Sequence, residues 1–238
     1  MLKWCLLIAH FAADFYLQPA ILAEKKTKKY SYLMLHAIIY AATIAIAFAI
    51  CIPIKDIWIP CSIISVVHLL IDWARIQYDK KHRKSLSLAV SLILDQILHI
   101  FIILLTAYYI SNKSDLAPWI LDCMQRLPLD VMARHILITM IIIMPASVLI
   151  KTLSSCASKE SENAKSEHNS VGMLIGVLER VIVATLVLTD EISTIGFVLA
   201  AKSLARFKQL EEKEFAEKYL VGTLSSMAIA LGTALLLR

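Results

Sequence analysis

The chain of 238 residues contains apolar runs long enough to cross a lipid bilayer. Residues 31–54, the second run, hold no Asp, Glu, Lys or Arg in 24 positions. A transmembrane helix needs about 20 mostly apolar residues. Because 59% of the chain is apolar or aromatic and only 18% is charged, a soluble domain of this size could not bury its apolar surface. The sequence therefore predicts an all-α, polytopic integral membrane helical bundle.

Eight apolar runs follow one another with short connections, so we expect about eight transmembrane helices. They are residues 2–18, 31–54, 56–77, 86–111, 131–153, 170–189, 192–206 and 219–237. Lys and Arg accumulate in the connections after the first, third, fifth and seventh runs. Basic connections stay in the cytoplasm. The alternation predicts that both termini lie outside and that the basic loops face the cytoplasm, in the plasma membrane (inner membrane) of a bacterial cell.

The distribution of polar residues divides the chain into three predicted regions. Residues 1–111 form a four-span membrane core, residues 112–130 an interfacial loop or short helix, and residues 131–238 a four-span C-terminal membrane region. Residues 154–169 read as a flexible polar linker. The net charge of +5 fits loops that face anionic membrane lipids. No nucleic-acid-binding motif is present, so we expect lipids and not nucleic acid as partners.

Ionisable residues inside the first four runs are the most informative feature of the chain. A charged side chain near the bilayer centre costs about 2.5 kcal/mol or more, yet several runs carry His and Asp four residues apart, which places them on one helix face. With the topology above, they fall within roughly 10–20 Å of the cytoplasmic edge. The candidate metal ligands are His10, Asp14, His36, His68, Asp72, Asp95 and His99.

Three interpretations of this layer stay open at the level of sequence. Imidazole and carboxylate groups on several helices can hold a divalent metal ion, Zn or another transition metal. The same residue types build proton or ion paths through membranes. Polar pairs can also simply tie helices together by hydrogen bonds. Three His/Asp pairs at similar depth favour the metal site over the other two interpretations.

Further polar residues supply candidate catalytic and substrate-binding groups. Asp95 and Glu179 are the candidate catalytic residues. The candidate substrate-binding residues are Gln18, Gln96, Arg180, Lys202 and Arg206. Glu179 can pair with Lys202 or Arg206, and an Arg/Lys cluster can receive an anionic phosphate group. Gly172 and Gly176 are spaced as a helix-packing face.

The ordered motifs resemble those of a known family. H-F-A-A-D-F-Y-L-Q, H-A-I-I-Y, H-L-L-I-D and D-Q-I-L-H occur between residues 10 and 99, and G-M-L-I-G-V-L-E-R, A-A-K-S-L-A-R-F and Y-L-V-G-T-L-S-S between 172 and 226. This series resembles the polytopic membrane proteins grouped as domain of unknown function 3307 (DUF3307), in the long form with a C-terminal extension. The resemblance implies no established activity. The H-x-x-x-D pattern is similar in style to membrane-bound proteins described as metal-dependent hydrolases.

These observations lead to one principal functional hypothesis and two alternatives. The principal hypothesis is a membrane-embedded, metal-dependent hydrolase that acts on a lipid-linked or phosphate-bearing substrate. The first alternative is a proton- or ion-coupled transporter that uses the same His/Asp layer. The second is a non-catalytic membrane scaffold or partner subunit. The sequence leaves open whether the chain is an enzyme.

Overall fold

The structure, a computed structural model, describes residues 1–82, 84–154 and 166–238, without the side chains of residues 166–170. Regular structure in this part of the chain is entirely helical. The α-helices are α1 (Leu2–Phe11), α2 (Ala20–Lys26), α3 (Tyr30–Cys51), α4 (Trp58–Lys81), α5 (Ser85–Ser111), α6 (Pro118–Arg126), α7 (Leu129–Ser154), α8 (Ser166–Leu188), α9 (Ile195–Ala205) and α10 (Lys213–Leu237). The predicted all-α class is confirmed, and most of the predicted linker 154–169 lies outside the described residues.

Six of the described helices are long and apolar enough to cross a membrane: α3, α4, α5, α7, α10 and the part of α8 from residue 171 to 188. The first predicted span is a bent pair of helices, and counting it as one span gives seven. The seventh predicted span, residues 192–206, contains only the 11-residue α9. At 1.5 Å per residue this helix is about 17 Å long, well short of the hydrocarbon core. The polytopic architecture holds, while a crossing by α9 stays a prediction.

The chain divides into two compact units. Unit 1 comprises Met1–Arg83 and Val90–Met140, and unit 2 comprises Lys84–Ala89 and Ile141–Arg238. In unit 1, α3 packs against α1 and α4. Its inner face reads Tyr40, Ile44 and Phe48, all of them fully or almost fully buried and spaced four residues apart.

Unit 2 is built around the packing of α8 against α10. Small residues at helical spacing bring the two helices together, since Ala184, Ala230 and Ala234 are all buried. The outward faces of α8 and α10 carry exposed Leu, Ile and Val side chains. Helices that are apolar on both faces are typical of membrane-spanning segments.

The first predicted span, residues 2–18, is helical up to Tyr16 and is followed by a sharp bend. A π-helical turn over Ala12–Tyr16 follows α1, and the Leu17 amide donates to the Ala12 carbonyl at 2.7 Å. Pro19 then begins α2, which is bent by 86° from the preceding helix. The π turn carries Asp14, and the bend returns α2 toward the helices of unit 1, against α3. Such π turns occur frequently at functional sites.

The connection between α5 and α7 contains the predicted short helix. Pro118 occupies the first turn of α6, where its missing N–H costs nothing. The Ala117 amide donates to the Cys51 carbonyl at 2.8 Å and ties this connection to the end of α3.

Candidate metal centre

All seven candidate metal ligands lie together inside unit 1. They come from α1, the π turn, α3, α4 and α5, and none of the seven side chains is more than 7% exposed. Three groups of three potential ligand atoms lie within 4.8 Å of one another: His10, Asp14 and His68; His36, His68 and Asp72; and Asp72, Asp95 and His99. The predicted layer of His and Asp is therefore a single buried cluster.

Four donor atoms lie close together at the centre of the cluster. Asp14 Oδ1 lies 3.4 Å from His36 Nε2 and 3.5 Å from His68 Nε2, and the two Nε2 atoms are 3.2 Å apart. Asp72 Oδ2 lies 3.4 Å from His36 Nε2 and 3.9 Å from His68 Nε2. Ligands placed 2.0–2.1 Å from a tetrahedral ion are separated by about 3.3–3.4 Å. Most of the separations among these atoms are thus close to the spacing of ligands around one ion.

Hydrogen bonding within the cluster is incomplete without a further group. Asp14 Oδ1 is buried and has no hydrogen-bond partner among the described residues. His36 Nε2 and His68 Nε2 face each other, and only one hydrogen can lie between them. Buried polar atoms in native proteins are normally satisfied, so an orphaned acceptor beside two converging nitrogens requires a bound water or ion. A cation between these three atoms satisfies all of them at once.

A tyrosine and a glutamine hold the imidazole rings in place. The Tyr40 ring stacks on His68 with a centroid separation of 3.5 Å and an interplanar angle of 8°. His10 contacts the Tyr40 hydroxyl through Nδ1 at 3.2 Å and the Gln96 carbonyl oxygen through Nε2 at 3.3 Å. Because both nitrogens of His10 are engaged, this side chain positions the site more readily than it ligates an ion.

Asp95 and His99 form a second donor group beside the four atoms of Asp14, His36, His68 and Asp72. His99 Nδ1 lies 3.7 Å from Asp95 Oδ2, and both nitrogens of His99 lack a hydrogen-bond partner among the described residues. Asp95 Oδ2 accepts from Arg75 at 3.2 Å and from the Gln96 amide at 3.1 Å. Gln96 also donates to Asp14 at 3.3 Å, so one side chain connects the two donor groups.

Lys26 is a site residue that the sequence did not identify. Its ammonium donates to Asp72 Oδ2 at 2.9 Å and to Gln18 Oε1 at 3.1 Å, and its side chain is 13% exposed. In the sequence Lys26 belongs to a run of loop lysines that set membrane orientation. The bend at Pro19 brings it to Asp72, and the proline predicts a break in the helix but not the direction in which the chain continues. Arg75, 27% exposed, was also read as a loop charge.

The remaining predicted site residues line a separate cavity in unit 2. Lys202 Nζ lies 2.5 Å from Glu179 Oε2, one of the two pairs that the sequence predicts. Arg180 and Arg206 line the same cavity. Gly172 is not in a close helix contact, because a Cβ there would meet nothing within 4 Å. The glycine spacing therefore does not mark a packing face at this position.

The helices and the buried His/Asp cluster define a polytopic membrane protein with a polar centre in its N-terminal half. The family described as Protein of unknown function (DUF3307) matches residues 2–127, which hold every residue of the cluster. The chain belongs to this family. No curated protein and no solved structure matches it.

Proposed function

We propose that the chain is a membrane-embedded, metal-dependent hydrolase that acts on a lipid-linked or phosphate-bearing substrate. The observation that carries the proposal is the convergence of four buried donor atoms, Asp14 Oδ1, His36 Nε2, His68 Nε2 and Asp72 Oδ2. Two imidazoles and two carboxylates suit Zn²⁺ and related divalent transition metals. Such an ion lowers the pKa of a bound water to near 7 and polarises a phosphoryl oxygen.

The neighbouring donors support hydrolysis over a purely structural ion. A structural zinc site uses four ligands and closes, whereas this cluster also contains Asp95 and His99. Asp72 and His68 each belong to two of the three donor groups, so these groups adjoin one another. Asp95 is held by Arg75 and Gln96 while its Oδ1 has no partner among the described residues, so it is the candidate general base.

The charges at the edge of the cluster favour an anionic substrate. Lys26 and Arg75 are the partly exposed cations that contact it, and both reach carboxylates of the site. Cations so placed can orient a phosphate group and stabilise charge that develops on it. Since His36, His68 and Asp72 lie in helices long enough to cross a membrane, we expect the substrate to carry a lipid. Gln18, bonded to Lys26, belongs to the same edge.

We further propose that the protein lies in a bacterial plasma membrane with its basic connections in the cytoplasm. The support is the alternation of Lys- and Arg-rich connections along the chain. The polar cluster then faces the cytoplasmic half of the bilayer, where lipid-linked substrates from cytoplasmic synthesis are accessible.

Hydrolysis of phosphate esters by the purified chain tests the proposal. Full-length protein loaded with Zn²⁺ or Mn²⁺ is compared with chelator-treated protein on esters ranging from p-nitrophenyl phosphate to phosphatidate in mixed micelles. We expect release of phosphate or alcohol that His36→Gln lowers by about 100-fold or more, because a ligand is lost. His135→Gln is the matched control, since His135 is exposed and bonds only to the Val131 carbonyl of its own helix. Equal rates in loaded and chelated protein would contradict the proposal.

One specific observation favours proton- or ion-coupled transport as the second candidate. Tyr40, His10, Gln96, Asp95 and Arg75 form a continuous hydrogen-bonded line from the core of unit 1 to a partly exposed guanidinium. Such a line can relay protons. Metal-independent proton or cation flux in proteoliposomes, abolished by Gln96→Leu, would support transport. A scaffold, the remaining alternative, predicts neither flux, nor hydrolysis, nor bound metal.

A further inference from the structure

We propose that unit 2 binds a phosphate group in a basic cavity formed by α7, α8, α9 and α10. This site is separate from the metal centre of unit 1, and the inference does not rest on the hydrolase proposal. The cavity has a volume of about 560 Å³, and side chains of these four helices and of Arg206 line it. It is therefore large enough for a phosphorylated headgroup, since ligand pockets start near 300 Å³.

The cavity concentrates positive charge. Among the described residues, five basic side chains line it against a single acidic one, Glu179. The five are Lys151, Arg180, Lys202, Arg206 and Lys218. Lys202 is neutralised by Glu179 at 2.5 Å, and none of the other four makes an ion pair with a described residue. The surplus of cations in a partly enclosed space favours an anionic ligand with more than one charge.

Arg180 is the buried anchor of the cavity. Its Nε donates to the Ile142 carbonyl at 2.5 Å, and its Nη2 donates to the Ser147 hydroxyl at 2.6 Å. Nη1 makes a longer bond, 3.4 Å, to the Ser226 hydroxyl. Neutral acceptors thus fix the guanidinium at 3% exposure, and no carboxylate of the described residues forms a direct ion pair with it. A buried, unpaired cation is costly, and a bound anion offsets that cost.

A glycine keeps the space beside this guanidinium open. A Cβ at Gly176 would lie 3.4 Å from Arg180 Nη1, so a larger side chain would occupy the approach to that nitrogen. A Cβ at Gly172, one turn earlier and also on the cavity wall, would meet nothing within 4 Å. The two glycines leave room for a ligand next to Arg180, where the sequence had indicated helix packing.

Tyr219 provides an independent sign of a missing ligand. Tyr219 lines the cavity, and its hydroxyl is buried without a hydrogen-bond partner among the described residues. Lys202 and Arg206 lie over its ring, at 5.4 and 5.9 Å from the centroid. These cation–π contacts hold both cations over the ring that carries the unsatisfied hydroxyl. A phosphate oxygen accepting from Tyr219 would satisfy the hydroxyl and meet the two cations together.

The lining chemistry fits phosphate better than carboxylate. A phosphate monoester carries about −1.5 to −2 charges and three strong acceptor oxygens, whereas a carboxylate carries one charge and two oxygens. Guanidinium, ammonium and hydroxyl donors converge here. The three oxygens of a phosphate can accept hydrogen bonds from more of these donors than the two oxygens of a carboxylate can. Basic pockets between membrane helices are a known place for anionic headgroups. The phosphate can belong to a lipid headgroup or to a soluble ion.

Binding of phosphate by full-length protein in detergent micelles tests the proposal. One arm titrates inorganic phosphate at constant ionic strength, and the other titrates phosphatidate into the micelles, with phosphatidylcholine as reference. Both are followed by calorimetry. Lys218→Gln and Arg206→Gln should each weaken binding by about tenfold, the loss of one charge-assisted hydrogen bond. Lys213→Gln is the matched control, because Lys213 is on the same helix, 89% exposed and outside the cavity.

Gly172→Trp supplies a variant that removes no charge. Its side chain should fill the open space and abolish binding while the thermal stability and the metal content of the protein stay unchanged. Binding in both arms supports a site for the phosphate group itself, and binding of phosphatidate alone supports a lipid headgroup. The proposal is overturned if neither probe binds the wild type, or if Lys213→Gln weakens binding as much as Lys218→Gln.

Discussion

Asp72 interacts both with the Lys26 ammonium and with a candidate metal ligand, His36. Its Oδ2 accepts from Lys26 Nζ at 2.9 Å and lies 3.4 Å from His36 Nε2. One oxygen therefore serves an ammonium ion and an imidazole that can ligate metal. Since an ammonium and a divalent cation repel each other at such distances, Lys26 opposes metal binding while it keeps the Asp72 carboxylate compensated in the empty site.

We predict that Lys26→Gln raises the affinity of the site for Zn²⁺ by several fold. The change removes a positive charge beside a ligand oxygen and leaves a side chain that can still hydrogen-bond Asp72 and Gln18. Competition with a chromogenic chelator measures the affinity. Lys28→Gln is the control, since Lys28 is 66% exposed and pairs only with Glu24. Weaker metal binding in Lys26→Gln would mean that Lys26 orients Asp72 and does not compete with the ion.

The residues of the cluster differ in how far the sequence could identify them. His68 and Asp72 were predictable because ionisable residues are energetically costly in an apolar run, and two of them spaced four apart indicate a functional site. Their association with His36 followed from shared depth. Lys26 and Arg75 could not be identified in this way. Each belongs to a group of basic residues in a connection, and such charges also set the orientation of the protein in the membrane. The stacking of Tyr40 on His68 depends on the packing of α3 against α4, which the sequence does not specify.

At the scale of elements, α1 and α3 form the frame that fixes the first ligands. The thiols of Cys5 on α1 and Cys51 at the end of α3 interact with each other, although the sequence offered no reason to pair these two cysteines. Cys51 is fully buried. The two helices therefore meet at the end of unit 1 opposite to the bend after Tyr16.

We predict that copper phenanthroline oxidises Cys5 and Cys51 to an intramolecular disulfide, which removes two hydrogens and joins their peptides. Peptide mapping by mass spectrometry detects the linked fragment in a variant whose three other cysteines are serine. Cys61 and Cys123, left as the only pair in a second variant, are the control and should stay reduced. Failure of Cys5 and Cys51 to link would show that α1 and α3 do not pack as described.

Span boundaries were predictable where apolar runs end at charged residues. The run 31–54 became Tyr30–Cys51, and the run 86–111 became Ser85–Ser111. Residues 2–18 were predicted as the first span; the helix there passes through a π turn, and the chain then bends at Pro19. That bend depends on contacts such as Lys26 with Asp72, which join distant parts of the chain and leave no local periodicity.

For the whole molecule, the bent N-terminal pair decides where the N-terminus lies. If α1 and α2 together cross the membrane, Lys3 and Lys28 are on opposite sides. If the pair enters and leaves on one side, both lysines face the cytoplasm. The alternation of basic connections favours a crossing, with the N-terminus outside.

We predict that Lys3→Cys reacts with a membrane-impermeant maleimide in intact cells and that Lys28→Cys reacts only after the membrane is permeabilised. Both positions are exposed, and both variants are made without the native cysteines. Mass-tagging on a gel reports the reaction. Protection of both cysteines in intact cells would instead identify the pair as a re-entrant loop.

The metal content of the purified chain tests the central claim most directly. Full-length protein, purified without chelator and exchanged free of loose ions, is analysed by inductively coupled plasma mass spectrometry. We predict about one or more transition-metal ions per chain in the wild type. In His68→Gln we predict less than about a tenth of an ion per chain, because the site loses a central ligand. His135→Gln should retain the wild-type content. A wild type with less than about a tenth of an ion per chain that stays metal-free after Zn²⁺ loading would contradict the claim.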